Sequence, residues 1–150
     1  MMKKITDMKS IKQKEQIEGA DDGCWFCHVI YDIDEPRSPL YNPVNRMFKS
    51  YLKYVSLCRM TVNLLLRQEN PSISNFHEDY IENNKKITTA IFYLNTNNGY
   101  TEFKDGNRID CIRNRLVMFP SNIKHRGVTQ TDEQTRIMIN FNFLKRKNLD

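Results

Sequence analysis

The chain of 150 residues has no apolar run near the roughly 18 residues that a membrane-spanning helix needs, so a spanning protein is not expected. Its start, Met1-Met2-Lys3-Lys4, leads into polar sequence instead of an apolar leader core, so no secretory signal is expected and a cytoplasmic setting follows. Cysteines are few and scattered, at positions 24, 27, 58 and 111, which excludes a disulfide scaffold and favours reduced thiols. No internal repeat or low-complexity stretch appears. A charge excess on the core is also missing. The net charge is +5, but residues 1–18 set five lysines against three acids and residues 145–150 set three basic residues against Asp150. The middle of the chain is close to neutral, so a basic groove for nucleic acid is not expected.

What remains is enough for one domain with one core: 39% hydrophobic residues, with eight Phe, seven Tyr and one Trp. Residues 3–18 are rich in Lys, Gln and Glu, with Ile5, Met8, Ile11 and Ile17 near helical spacing, and read as a helix or an arm. Val29-Ile30-Tyr31 reads as a strand. Pro36, Pro39 and Pro43 mark residues 32–43 as loop. Val44, Met47, Phe48, Tyr51, Tyr54 and Val55 predict a helix over 44–57 whose stripe covers a sheet. From Cys58 the pattern turns to strands: 59–66, 87–94, 100–103, 108–112, 116–119, 123–129 and 135–144. Residues 87–94 are apolar on both faces, as in a strand buried on both sides. Asn97-Asn98-Gly99 and Asp105-Gly106 are turn signals. Short strands at close intervals predict a sandwich or barrel.

Cys24-Trp25-Phe26-Cys27-His28 matches the c-type heme attachment pattern. Heme attachment normally belongs to exported proteins, and as a zinc site the motif is one ligand short. The aromatic pair between the cysteines favours buried structural residues.

His77 and Asp79 in Asn75-Phe76-His77-Glu78-Asp79-Tyr80 are the chemically pointed pair. In an extended stretch they leave the same face, with Cα atoms roughly 6.6 Å apart, and can close on one metal ion. His125 is the best third ligand. Two histidines and one carboxylate, with open coordination positions, are the facial triad of non-heme Fe(II) oxygenases.

The order of further motifs carries a family resemblance. Ile91-Phe92-Tyr93-Leu94-Asn95 begins fourteen residues after His77, and Gly99-Tyr100-Thr101-Glu102-Phe103 and Asn114-Arg115-Leu116-Val117-Met118-Phe119 follow. His125 comes six residues after Phe119, and Arg136 eleven after His125. In this order the motifs resemble prolyl-hydroxylase-like 2-oxoglutarate/Fe(II) oxygenases, and the small size and Asn-rich loops are similar to short phage and bacterial forms. The resemblance covers 58–144. It implies a mainly β, double-stranded β-helix (jelly-roll) core over 58–144, with 1–57 as flanking helical and loop support. It implies His77, Asp79 and His125 as iron ligands, Arg136 as the holder of the distal 2-oxoglutarate carboxylate, and Tyr93 as a further contact to that co-substrate. It implies O2 as the other co-substrate.

Each residue also has a plainer reading. Arg136 could meet a structural acid, and Tyr93 could be a core tyrosine. Asn63 faces the pocket only in one of two registers. Asn140 and Asn142 share a face with Arg136 and Met138, and could touch substrate or be satisfied interior amides. Nucleic-acid-dealkylating members carry a second arginine six residues after the first; here that residue is Asn142, which argues against nucleobase repair. The expected reaction is hydroxylation of a C–H bond of a peptidyl side chain such as proline, releasing succinate and CO2, with a free amino acid or small metabolite as the alternative substrate. The rivals are a metal-holding jelly roll that only binds a ligand and a heme protein built on Cys24 and Cys27. Oligomeric state is not readable from the sequence.

Overall fold

The computed structural model describes residues 25–79 and 86–145. Its elements are β1 (Trp25–Asp32), β2 (Glu35–Pro36), α1 (Tyr41–Leu52), β3 (Tyr54–Leu66), β4 (Ile87–Tyr93), β5 (Tyr100–Phe103), β6 (Arg108–Asp110), β7 (Leu116–Pro120), β8 (His125–Val128) and β9 (Thr135–Lys145). They form a six-stranded sheet ordered β2-β1-β3-β9-β4-β7 and a three-stranded sheet ordered β6-β5-β8. Every pairing is antiparallel. Isolated bridges Ile73–Val128 and His77–His125 lay the chain before β4 alongside β8. From β3 onward the chain passes back and forth between the sheets, which is the winding of the expected double-stranded β-helix.

Strand alternation explains the two sides of the large sheet. On β9, Ile139, Phe141 and Phe143 join Met60, Leu57 and Ala90 in an outer core. Met138 faces inward with Ile91, Tyr93, Phe119 and Cys111, and Phe103 and Ile109 of the small sheet pack on that cluster. β4 serves both cores, as its two apolar faces predict.

Helix α1 covers the outer core, but not with the expected stripe or over the expected span. It ends at Leu52 because Lys53 takes a left-handed conformation (φ 50°), its N–H bonding to Lys49 O at 3.0 Å. Residues 54–57, expected as helix, are the start of β3. Phe48 and Leu52 are buried, with Tyr41 and Val44 packed beside them. Met47, Tyr51 and Val55 are 63%, 72% and 63% exposed. The sheet decides the face: the Phe48 ring sits 4.8 Å from Phe92 and 5.0 Å from Phe141, centroid to centroid. Pro43 is tolerated because it lies in the first turn, where N–H groups have no intrahelical acceptor. The segment expected only as support also supplies β1 to the large sheet. The predicted helix or arm over 3–18 lies outside the described residues. Among the described residues, no helix is long and apolar enough to cross a membrane.

One irregularity bears on the pocket. Between Leu57 and Arg59, β3 advances two residues while β9 advances one, from Phe143 to Asn142. This bulge lets both Leu57 and Met60 reach the outer core although they are an odd number of residues apart. Arg59 between them shares the inner face with Asn142.

Candidate metal centre

The inner face of the large sheet is a set of rows across the strands. Arg59, Asn142, Thr89 and Phe119 form one row. Thr61, Asn140, Ile91 and Val117 form the next, then Cys27, Asn63, Met138 and Tyr93, then Leu65 and Arg136.

At the first row, His77, Asp79 and His125 offer ligand atoms that all lie within 4.8 Å of one another. It is the one such group of three or more candidate ligands among the described residues. Asp79 Oδ1 is 3.6 Å from His77 Nε2 and 3.5 Å from His125 Nε2. The stretch carrying His77 is not a regular strand, yet it behaves locally as one: His77 N–H donates to His125 O at 2.9 Å and His125 N–H returns the bond to His77 O at 3.0 Å. Asp79 N–H donates to Ser121 O at 3.1 Å. Backbone pairing therefore sets the two imidazoles side by side, their centroids 4.6 Å apart.

Neighbouring groups choose which ligand atoms face the centre. His77 Nδ1 lies 3.2 Å from Asn75 O and His125 Nδ1 lies 2.9 Å from Ile123 O. Each Nδ1–H is thus directed at a carbonyl, leaving the Nε2 lone pairs for a metal. Thr89 Oγ1–H donates to Asp79 Oδ2 at 2.8 Å, and Asn142 Nδ2 donates to the same oxygen at 3.3 Å. Ser121 Oγ and Asn142 Nδ2 both bond Thr89 Oγ1. With Oδ2 occupied, Asp79 presents Oδ1. Burial lowers the His125 pKa, outweighing the nearby Asp79 charge, so its ring is neutral and ready to ligate. The side chain of His125 is 4% exposed and that of His77 is 41% exposed, so the centre opens outward on the His77 side.

At the other end of these rows, Arg136 is 1% exposed. It donates from Nη1 to Val128 O at 2.8 Å and from Nη2 to Thr101 Oγ1 at 3.3 Å. Its Nε has no acceptor, and it forms no ion pair among the described residues. A buried cation without a counter-charge is costly, and an anion there removes the cost. Tyr93 OH bonds Thr101 Oγ1 at 2.8 Å, and the guanidinium lies 5.7 Å from the Tyr93 ring centre. Burial raises the Tyr93 pKa, so its hydroxyl keeps its proton.

The sequence model of the 2OG-Fe(II) oxygenase superfamily matches residues 65–144, more than half of the chain. The chain belongs to that superfamily of dioxygenase enzymes. This oxygenase is similar in fold to an oxidoreductase of the 2OG-Fe(II) oxygenase family from Burkholderia pseudomallei, at 12% identity and a TM-score of 0.54, over 81% of this chain and 67% of that one. It is also similar to a Pseudomonas putida prolyl-4-hydroxylase, at 15% identity and a TM-score of 0.50, over 87% of this chain and 76% of that one. A looser likeness, TM-score 0.46 at 12% identity over 81% of this chain, is to an HTH_3 family transcriptional regulator from Vibrio cholerae, of whose length the chain spans 52%. Among curated proteins, none matches the chain.

Membership implies Fe(II) and 2-oxoglutarate, and the oxygenase has residues that fit both: three convergent donors at one end, and a buried arginine lacking a counter-ion at the other. Asn63 is buried on the inner face, settling the register that the sequence left open, and its Oδ1 finds no partner. Asn140 lies one row nearer the metal, and Asn142 holds Asp79. Thr89, Ser121 and Thr101 were not singled out from the sequence. Isolated hydroxyl residues give no pattern, although Thr89 shares the parity of Ile91 and Tyr93. Of the Cys-x-x-Cys-His segment, Cys24 lies outside the described residues. Cys27 is buried, and His28 Nε2 pairs with Ser38 Oγ at 2.9 Å.

Proposed function

We propose that this oxygenase uses Fe(II), 2-oxoglutarate and O2 to hydroxylate a C–H bond of a peptidyl side chain, proline being the leading candidate, with release of succinate and CO2. The observation that carries the reading is the pairing of a two-histidine, one-carboxylate centre with a buried, uncompensated Arg136 in one pocket. Iron, when bound, supplies O2 activation coupled to decarboxylation of the 2-oxo acid. The chain's own residues do the rest. His77, Asp79 and His125 would hold the ion. Thr89 and Asn142 keep Asp79 Oδ2 engaged. Arg136 holds the distal carboxylate through its planar fork, and Tyr93, kept protonated, donates to the same group. Asn63 stands on the same inner face, one row from Arg136. Ile91, Met138, Val117 and Phe119 form the apolar wall that excludes water.

A large substrate is favoured by the 41% exposure of the His77 side chain, which leaves the metal approachable from outside the barrel. The named relative from Pseudomonas putida, a prolyl-4-hydroxylase, supports the same choice as an analogy of fold. Nucleic acid is not the proposed substrate, because Asn142 stands where a second arginine would be needed. The test is an aerobic assay with Fe(II), 2-oxoglutarate and proline-containing peptides, reading succinate together with the mass of one added oxygen on the peptide. Succinate formed with a free amino acid alone would move the substrate to the small-metabolite class. No succinate with any candidate would leave a metal-holding binding module.

A further inference from the structure

Arg136 accounts for one cation in the pocket, but the inner face carries a second. Arg59 begins the row that runs through Asn142 and Thr89 to Asp79. Adjacent strands lie about 5 Å apart, so the Arg59 backbone is one strand from Asn142. Its Nε is buried with no hydrogen-bond partner. Its register partner on β1 is Asp32, yet Arg59 forms no ion pair with it or with any other acid among the described residues. Burial raises the pKa of the Cys27 thiol on the same face, while the Arg59 charge and the Thr61 hydroxyl draw it back.

Two more unmet polar atoms lie on the same face. Asn63 is buried with Oδ1 unpartnered, and Asn140, beside Thr61, has Oδ1 buried and unpartnered. Buried polar atoms are nearly always bonded, so three orphans on the inner face of adjacent strands β3 and β9 mark a place completed by something else. In the reading above Arg136 takes the distal carboxylate of the co-substrate, which leaves Arg59 without an anion of its own. The orphan set combines a cation with two carboxamides that accept or donate, which suits a carboxylate with an adjacent polar group.

We propose that Arg59, with Asn63 and Asn140, forms the substrate wall of this pocket and holds a carboxylate of the molecule to be oxidised. The proposal rests on the oxygenase reading above and narrows its substrate to one that carries an acidic group near the reacting carbon. That carboxylate has two possible sources, the α-carboxylate of a free amino acid or an acidic side chain of a peptide.

The test uses the full chain loaded with Mn(II) and 2-oxoglutarate, reading the broadening that Mn(II) causes in the proton resonances of a nearby probe. The probes are a pool of free L-amino acids, the matching pool of carboxamides, and two capped proline-containing peptide pools identical except for glutamate in one and glutamine in the other. Broadening in the amino-acid pool and not in the carboxamides supports the proposal with a free amino acid as source. Broadening in the glutamate pool and not in the glutamine pool supports it with a peptide as source. In Arg59→Gln the affinity of the responding probe should fall about 10- to 100-fold, and Arg59→Lys should recover part of it. Mn(II) and 2-oxoglutarate should still bind Arg59→Gln, which shows that the variant is folded. Equal broadening of acids and amides, no broadening of any pool, or an unchanged response in Arg59→Gln overturns the proposal. Failure of the oxygenase reading would appear separately, as no Mn(II) or 2-oxoglutarate binding by the unaltered protein.

Discussion

Replacing Arg136 by Met separates the two roles of a buried cation. In the free protein, the guanidinium is 1% exposed, with two hydrogen bonds and no counter-charge among the described residues. Its removal relieves a desolvation cost but leaves Val128 O short of a donor, so the free variant should lose little stability. With 2-oxoglutarate the balance differs. A bidentate, charge-assisted contact in this setting is worth about 3 kcal/mol, or roughly 150-fold in affinity. At a ligand concentration near 100 times Kd, the unaltered protein should gain about 2.7 kcal/mol of stability. For a domain of this size that is a rise of about 5–10 °C in Tm. Arg136→Met should lose nearly all of that rise, while its Mn(II) affinity stays within about twofold, because the Arg136 side chain bonds Val128 O and Thr101 Oγ1 and none of the three ligands. Calorimetry of 2-oxoglutarate into Mn(II)-loaded protein, with Mn(II) affinity read by electron paramagnetic resonance, checks both halves. Unchanged 2-oxoglutarate affinity, or equal loss of metal and co-substrate binding, would refute the reasoning.

Asp79→Ala should abolish binding of about one Fe(II) or Mn(II) per chain, and metal retained tightly by His77→Ala/Asp79→Ala/His125→Ala would remove the assignment. Thr89→Val should weaken metal binding about 10- to 100-fold by freeing Asp79 Oδ2, as the loss of outer hydrogen bonds to a ligand typically does, and equilibrium titration reads this directly. Leu52→Ala, at a fully buried position under the sheet, should cost about 2–5 kcal/mol in denaturant unfolding with the metal site intact. Burial raises the Cys27 and Cys111 thiols above the usual range, so both stay protonated at neutral pH; iodoacetamide should label neither in the folded protein, as peptide mass mapping would show.

The elements legible in the sequence were those whose chemistry and periodicity agree. In β9, alternation alone places Arg136, Met138, Asn140 and Asn142 on one face and Ile139, Phe141 and Phe143 on the other, as the two cores confirm. The spacing of His77 and Asp79 foretold one face even though their stretch is held by a single bridge. The helix end was not legible, because Tyr54 and Val55 continue the helical stripe and also suit a strand. Only the left-handed turn at Lys53 and the register against β9 decide between the two. Arg59 was passed over because its parity with Thr61 and Asn63 says nothing about charge balance, which depends on which acids the fold brings near. The grip of Thr89 on Asp79 joins segments with no shared motif.

The place of β9 in the large sheet carries a consequence for how the molecule comes into being. It lies between β3 and β4, so the last of the described strands in chain order is the one that joins the two halves of the sheet. Until it emerges, β1 and β3 have no link through the ladder to β4 and β7. Asn142, which helps orient Asp79, and Arg136, which waits for the co-substrate, are both on it. Vectorial folding from the N-terminus cannot complete such a sheet, because its central pairings join residues far apart in the chain. The pocket that would hold iron is therefore complete only once β9 has taken its place between β3 and β4.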